Sequence, residues 1–263
     1  PPRDGIALAL RVRNAWAGRS DRPYVRAAGT WIAKAGVLPS TIDVEAADAD
    51  ELVAAVDAQI EHGADLVKLY LDGPDPETSP WTASEVARAV GAAHSRGVTV
   101  TAHATRLSGA RTGVDGGVDC IEHGSHIDDG LAAAMAANGT FLVPTLGVLA
   151  SWETFATTTT IDRFAGEDGK RTLAERKELA YESVRIARKA GVRIAAGTDF
   201  GGGSLRANQM AWEVECLVAA GLEPVEALAA ASWVGGDLLG EPSAGRIAPG
   251  GPTDFFLVHG NPL

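Results

Sequence analysis

Cysteine is almost absent from these 263 residues. Cys120 and Cys216 are the only two, too few for a disulfide framework, and they read as core thiols. Long hydrophobic runs are missing as well, since no apolar stretch approaches the roughly 20 residues that span a bilayer. The chain starts at Pro1-Pro2-Arg3-Asp4 without a methionine or a signal-like segment, so the natural N-terminus is expected to be absent. Basic side chains are in deficit: 23 Lys and Arg against 34 Asp and Glu give a formal net charge of −11. Such a surface repels a phosphate backbone or an anionic membrane, which excludes nucleic acid and membrane as expected partners. A small-molecule substrate, a cytoplasmic location and a possible homo-oligomer remain, inferred from composition alone. No Gly-x-Gly-x-x-Gly dinucleotide fingerprint follows any strand-like run.

What is present is a repeat. From about residue 46 to residue 200, helical stretches close at Gly63, Gly97, Gly139 and Gly191, each suited to the left-handed position that ends a helix. Short β-branched strands follow at Leu66 to Leu71, Val98 to His103, Thr140 to Val143 and Val192 to Thr198. A fifth unit fits at Gly117 before Cys120-Ile121-Glu122, and Tyr24 to Ala28 reads as an earlier strand, giving six. Thr82-Ala-Ser-Glu85 is a capping box, and Pro224 suits the first turn of a helix to about Leu239. The segment between Leu149 and Leu173, with its threonine run Thr157 to Thr160, reads as a lid or a surface loop. Strands alternating with helices imply a parallel sheet with helical crossovers, an α/β fold. Polar residues able to bind metal stand at or near the C-terminal ends of four strands, which favours a TIM (β/α)8-type barrel over a doubly wound sheet. The expected division is residues 1–243 as barrel and 244–263 as the start of a small β domain containing the apolar strand Asp254 to Val258.

Those polar residues carry the chemistry. Asp199 ends the Arg193 to Thr198 run ahead of Phe200-Gly-Gly-Gly203; a turn aspartate is the alternative. His103 and His123 each end a strand, where a single histidine would be read as structural but two at equivalent positions suggest metal ligands. In Leu66-Val67-Lys68-Leu69-Tyr70-Leu71, period two puts Leu66, Lys68 and Tyr70 on one face. If the Val67 face meets the helices, Lys68 points into the barrel, where burial favours the neutral amine that can form a carbamate with carbon dioxide. The alternative is a lysine snorkelling from a strand end. Tyr70 is a candidate for polarising a substrate carbonyl, and His126, Arg106 and Arg206 are candidate substrate contacts, the arginines for a carboxylate. His62, His94 and His259 read as structural.

Taken in order, Val67-Lys68-Leu69-Tyr70, Ala102-His103-Ala104, Ile121-Glu122-His123-Gly124, Pro144-Thr145-Leu146 and Gly197-Thr198-Asp199 resemble the amidohydrolase superfamily, in its imidazolonepropionase-like and Xaa-Pro dipeptidase-related branch. The likeness runs on through Asn208, Glu213, Gly221 and Pro224 to Gly260-Asn261-Pro262-Leu263. It implies two Zn2+ ions bridged by carbamylated Lys68, with His103 and His123 on one metal and Asp199 on the other. It also implies hydrolysis of an amide or cyclic amide C–N bond by a metal-activated hydroxide, with Asp199 as acid and base. Lactonases and phosphotriesterases resemble this constellation too, and a degenerate barrel that binds a ligand or a metal without chemistry is the alternative outside enzymes. One element of the family pattern is missing, since no His-x-His occurs anywhere in the sequence. Counting Lys68 onto the family's fourth strand places the first two strands before Pro1, so the barrel is expected to be incomplete and the chain alone to be inactive.

Overall fold

The structure is a computed structural model, and it describes residues 7–39, 42–201, 205–252, 254–255, 257 and 259–261. The chain divides into two compact units, residues 1–121 and 122–263. Six parallel strands follow the hydrogen-bonded order β2-β1-β3-β4-β5-β6.

In the first unit, α1 (Leu8–Trp16) precedes β1 (Trp31–Lys34) and β2 (Asp43–Ala46), then α2 (Ala49–Glu61), β3 (Leu66–Tyr70), α3 (Ala83–Ser95), β4 (Thr99–Ala104) and α4 (Leu107–Asp115). The helices start where the side chains provide acceptors for orphan amides. Asp48 takes the Asp50 and Glu51 N–H groups ahead of α2, and the Thr82/Glu85 capping box forms ahead of α3. Strand β3 alternates as expected, with Val67 and Leu69 fully buried and Lys68 and Tyr70 half-buried. It pairs in parallel with β4 in a register that sets Lys68 against Thr101 and Tyr70 against His103.

The second unit continues from β5 (Cys120–His123), the strand on which the two units meet in sequence, through α5 (Asp129–Asn138) and β6 (Phe141–Val143). Four helices follow, α6 (Leu146–Ala156), α7 (Asp162–Ala165), the 24-residue α8 (Glu167–Ala190) and α9 (Met210–Ala219), and then α10 (Pro224–Ala230) and α11 (Trp233–Leu238). Gly139 and Gly191 close α5 and α8 at φ 74° and 82°, the left-handed caps read from sequence. Both cysteines are buried, and neither is in a disulfide. Burial, with the Glu213 charge second, pushes the Cys216 thiol up to about 11, so it stays a neutral core group. Among the described residues, no helix is long and apolar enough to cross a membrane.

Several expectations need correction. Tyr24 to Ala28 is not a strand: its Ala27 amide and carbonyl bond the carboxylate and amide of Asp65, and the ladder is formed instead by Trp31–Lys34 after a turn at Gly29. Strand β2 has no counterpart in the repeat read from sequence, so the six strands among the described residues are not the six expected. Val192 to Thr198 makes only one bridge, Ile194 to Leu142. The helix from Pro224 breaks at Ser232, and the expected loop between Leu149 and Leu173 is mostly α6, α7 and the first turns of α8. Of the expected tail strand, residues 254, 255 and 257 have no strand structure, and Phe256 and Val258 lie outside the described residues, as do Pro1 to Asp4, Gly202, Gly203, Pro262 and Leu263.

Helix α4 lies close to its neighbours through small residues. A Cβ on Gly116, whose φ is an ordinary −82°, would stand 2.7 Å from Val86 Cβ and 3.0 Å from the Thr112 carbonyl oxygen. Gly116→Ala is therefore expected to destabilise the protein by about 1–3 kcal/mol through overpacking. Urea unfolding midpoints test this; an unchanged midpoint would show that α4 can shift without penalty.

Candidate active site

Parallel register brings the first unit's candidate residues together. Lys68 and Tyr70 share the less buried face of β3, and the next residue of that parity beyond the strand is Asp72. The Tyr70 and His103 rings stack at 4.1 Å with planes 12° apart, and Trp31 on β1 extends the row at 6.3 Å from Tyr70. Lys68 Nζ stands 4.9 Å from the centre of the Trp31 ring, within cation–π range. Asp72 is nearly buried, and its carboxylate accepts the Thr105 and Arg106 amides at 2.8 and 3.3 Å while His103 Nε2 stands 3.4 Å away. Burial opposes the Asp72 charge, but His103 and the two amides together hold its carboxyl below the usual range, so it is an anion at neutral pH. Burial, and then the Asp72 charge, raise the Tyr70 phenol, which keeps its proton as a hydrogen-bond donor. Arg106 donates from its guanidinium to the Gly73 carbonyl at 2.7 Å, which ties the loop after β3 to the start of α4.

The second unit holds the other candidates at the ends of its strands. His123 closes β5 at φ 69°, Thr145 follows β6 at φ 51°, and Asp199 follows the Ile194 bridge at φ 48°. Non-glycine residues seldom adopt this region, and a β-branched threonine does so least readily. Strain of this kind, of order 1–3 kcal/mol per residue, persists where surrounding structure enforces it and clusters at functional sites. Here His123 Nδ1 and Thr145 Oγ1 meet at 2.7 Å. Thr145 does not cap α6; that part falls to Glu213 of α9, whose carboxylate accepts the Leu146 amide at 3.0 Å and the Gly147 amide at 2.5 Å. Asp199, His126 and Arg206 are exposed.

The first unit thus brings Lys68, Tyr70, His103 and Arg106 together around the ends of β3 and β4. The second joins His123 to Thr145. Imidazole and carboxylate side chains are donors suited to divalent metals of the zinc, manganese, iron or cobalt kind. Among the described residues, no group of three or more His, Cys, Asp or Glu is assembled that could hold one. Four contributors had no role in the sequence reading: Trp31, Asp72, Thr145 and Glu213. Asp72 carries a usable signal, the parity of Lys68 and Tyr70. Thr145 and Glu213 appeared only as parts of matching motifs, and Trp31 was hidden by the misplaced first strand.

This fold and its polar strand ends define a class. The amidohydrolase family model matches residues 27–263, and the chain belongs to that family. An uncharacterized protein of Mycobacterium tuberculosis is 34% identical over 84% of this chain and 60% of its own length. Ochratoxinase of Aspergillus niger is 27% identical over 81% of this chain and 45% of its own. Among solved structures, a Xaa-Pro dipeptidase with methionine bound in its active site is similar at TM-score 0.80 and 28% identity, over 97% of this chain and 67% of that one. The chain therefore spans about three fifths or less of the curated relatives named here.

Glu213 gives the site a testable pH response. It is fully buried, and desolvation raises its carboxyl from 4.5 to about 7 against the pull of two amides. A carboxyl whose folded pKa lies above its unfolded one holds its proton longer when folded. Stability should therefore fall as pH rises from about 4.5 to about 7, by up to about 3 kcal/mol. Urea unfolding from pH 5 to 8 should show this slope, and Glu213→Gln should flatten it whatever its overall cost. An equal slope in both proteins would assign the pH dependence elsewhere.

Proposed function

We propose that this chain is the catalytic barrel portion of a metal-dependent hydrolase acting on an amide or cyclic amide C–N bond, in an N-acyl amino acid, a dipeptide or an imidazolone-like ring. The observation that carries the reading is the treatment of the two strand-end histidines. Each turns one ring nitrogen to a nearby oxygen, His103 to Asp72 and His123 to Thr145. Such contacts fix the tautomer and orientation of a metal-ligating histidine. Family membership and the dipeptidase and ochratoxinase likenesses support the same bond type.

In this reading His103, His123, Lys68 and Asp199 would hold the metal, Lys68 as a carbamate. A divalent ion bound there would lower the pKa of water toward about 7 and polarise the carbonyl. Asp199 accepts the proton of the attacking water and delivers it to the leaving nitrogen. Tyr70, kept protonated by its surroundings, donates a hydrogen bond to the oxygen on which charge develops. Asp72 orients His103. Arg106, Arg206 and His126 are assigned to the substrate's polar end, and the tail from Ala244 to the start of a small β domain following the 1–243 barrel.

Lys68 is the discriminating residue. In the complete protein, Lys68→Ala should abolish binuclear zinc binding, measured by metal content after dialysis, and a short carboxylic acid added to that variant should restore part of it. Lys68→Arg should not respond, because guanidinium stays charged and fills the space. The chain as it stands carries no His-x-His, and its turnover of N-acyl amino acids, dipeptides or lactones is expected to be weak even with zinc added. Zinc content that survives Lys68→Ala unchanged would remove the bridge and this mechanism with it.

A further inference from the structure

Helices α6, α7 and α8 line a half-open cavity of about 580 Å³ that the proposed chemistry does not use. Its size falls within the range of small-molecule sites. Leu149 and Trp152 from α6, Phe164 from α7 and Leu173 from α8 form its apolar wall. The Trp152 and Phe164 rings stack at 4.9 Å, so the wall is aromatic. The short helix α7 can sit this close to α8 because residue 169 is glycine; a Cβ there would come within 2.4 Å of the Arg163 carbonyl oxygen.

The polar lining is cationic. Arg163 and Arg176 both reach the cavity, and Arg163 lies over the Phe164 ring at 4.6 Å. Of the four arginines on α8, Arg171, Arg185 and Arg188 each pair with at least one carboxylate. Arg176 pairs with none among the described residues. The sequence gives the reason: the positions three and four residues away are Thr172, Leu173, Leu179 and Ala180, so its own helix offers it no carboxylate. Asp168, the acidic residue of the lining, is held by Arg171 at 2.8 Å.

We propose that this cavity is a binding site for a small aromatic carboxylic acid, its ring against the Trp152–Phe164 pair and its carboxylate on Arg176. A guanidinium matches a carboxylate with two parallel hydrogen bonds. Asp168 at the rim disfavours a dianion such as a phosphate ester. The site lies within the second unit, and the inference does not rest on the hydrolase reading.

Calorimetric titration with 2-naphthoate tests it, with 2-naphthalenemethanol as the neutral isostere and 2-naphthyl phosphate as the dianion. Saturable one-to-one binding of the acid is expected, tighter than either comparison compound. Arg176→Gln should weaken the acid about tenfold and leave the alcohol unchanged, the loss of one charge-assisted contact. Trp152→Ala should weaken both. Arg176 is exposed, so Arg176→Gln should melt with the parent protein, which keeps the test valid if Trp152→Ala folds poorly. Three results would overturn the proposal: no saturation by about 1 mM, an affinity indifferent to Arg176→Gln, or phosphate bound as tightly as the acid.

Discussion

Parallel pairing in fixed register is the constraint from which the arrangement of the first unit's candidate residues follows. When two neighbouring strands run the same way, residues opposite one another point to the same face. The pairing of Tyr70 with His103 therefore forces their rings together, and the parity of β3 adds Lys68 and Asp72 to that face. The opposite face, with Val67 and Leu69 fully buried, is what holds the register in place. A slip of one residue would bury Lys68 and Tyr70 and expose those two, a cost far larger than any single polar contact in the site. Apolar burial on one side thus positions the chemistry on the other.

The candidate residues of the second unit are held by a different device. His123, Thr145 and Asp199 sit in a backbone region that each would leave if released. For Thr145 the restraint is identifiable. The helix that follows it is anchored by Glu213, whose two oxygens take the amides of Leu146 and Gly147, and its own hydroxyl meets His123. Gly147 is the residue that permits the approach, since a Cβ there would stand 3.0 Å from a Glu213 oxygen. One buried carboxylate therefore fixes the start of α6 and, through Thr145, the imidazole at the end of β5.

The sequence was legible where one short-range rule governs an element. Left-handed glycines, the Thr82/Glu85 box and the alternation of β3 are decided by neighbours a few residues away, and each stands where it was read. It was illegible where a distant partner decides. Tyr24 to Ala28 has the composition of a strand, but Asp65, nearly 40 positions on, takes its hydrogen bonds. Asp43–Ala46 looks polar enough for a loop, with two acids in four residues, and becomes a strand only because Trp31–Lys34 offers a ladder. The α6–α8 segment failed as a loop for the opposite reason, because the threonine run between Thr157 and Thr160 masked two helices that need only that short link.

The same distinction separates the candidates that stand out in the sequence from the residues that the fold sets beside them. Lys68, His103, His123 and Asp199 announce themselves because their chemistry is unusual at a strand end. Asp72, Thr145 and Glu213 are ordinary residues in ordinary surroundings until the fold gives each a partner: an imidazole for Asp72, another imidazole for Thr145, a helix terminus for Glu213. Orientation is what these supporting groups supply, and orientation is a property of pairs. A strand-end histidine is visible in one dimension. Which of its nitrogens faces the protein is decided by a residue 31 positions before His103 in one case and 22 after His123 in the other, so it becomes readable only once the strands are paired.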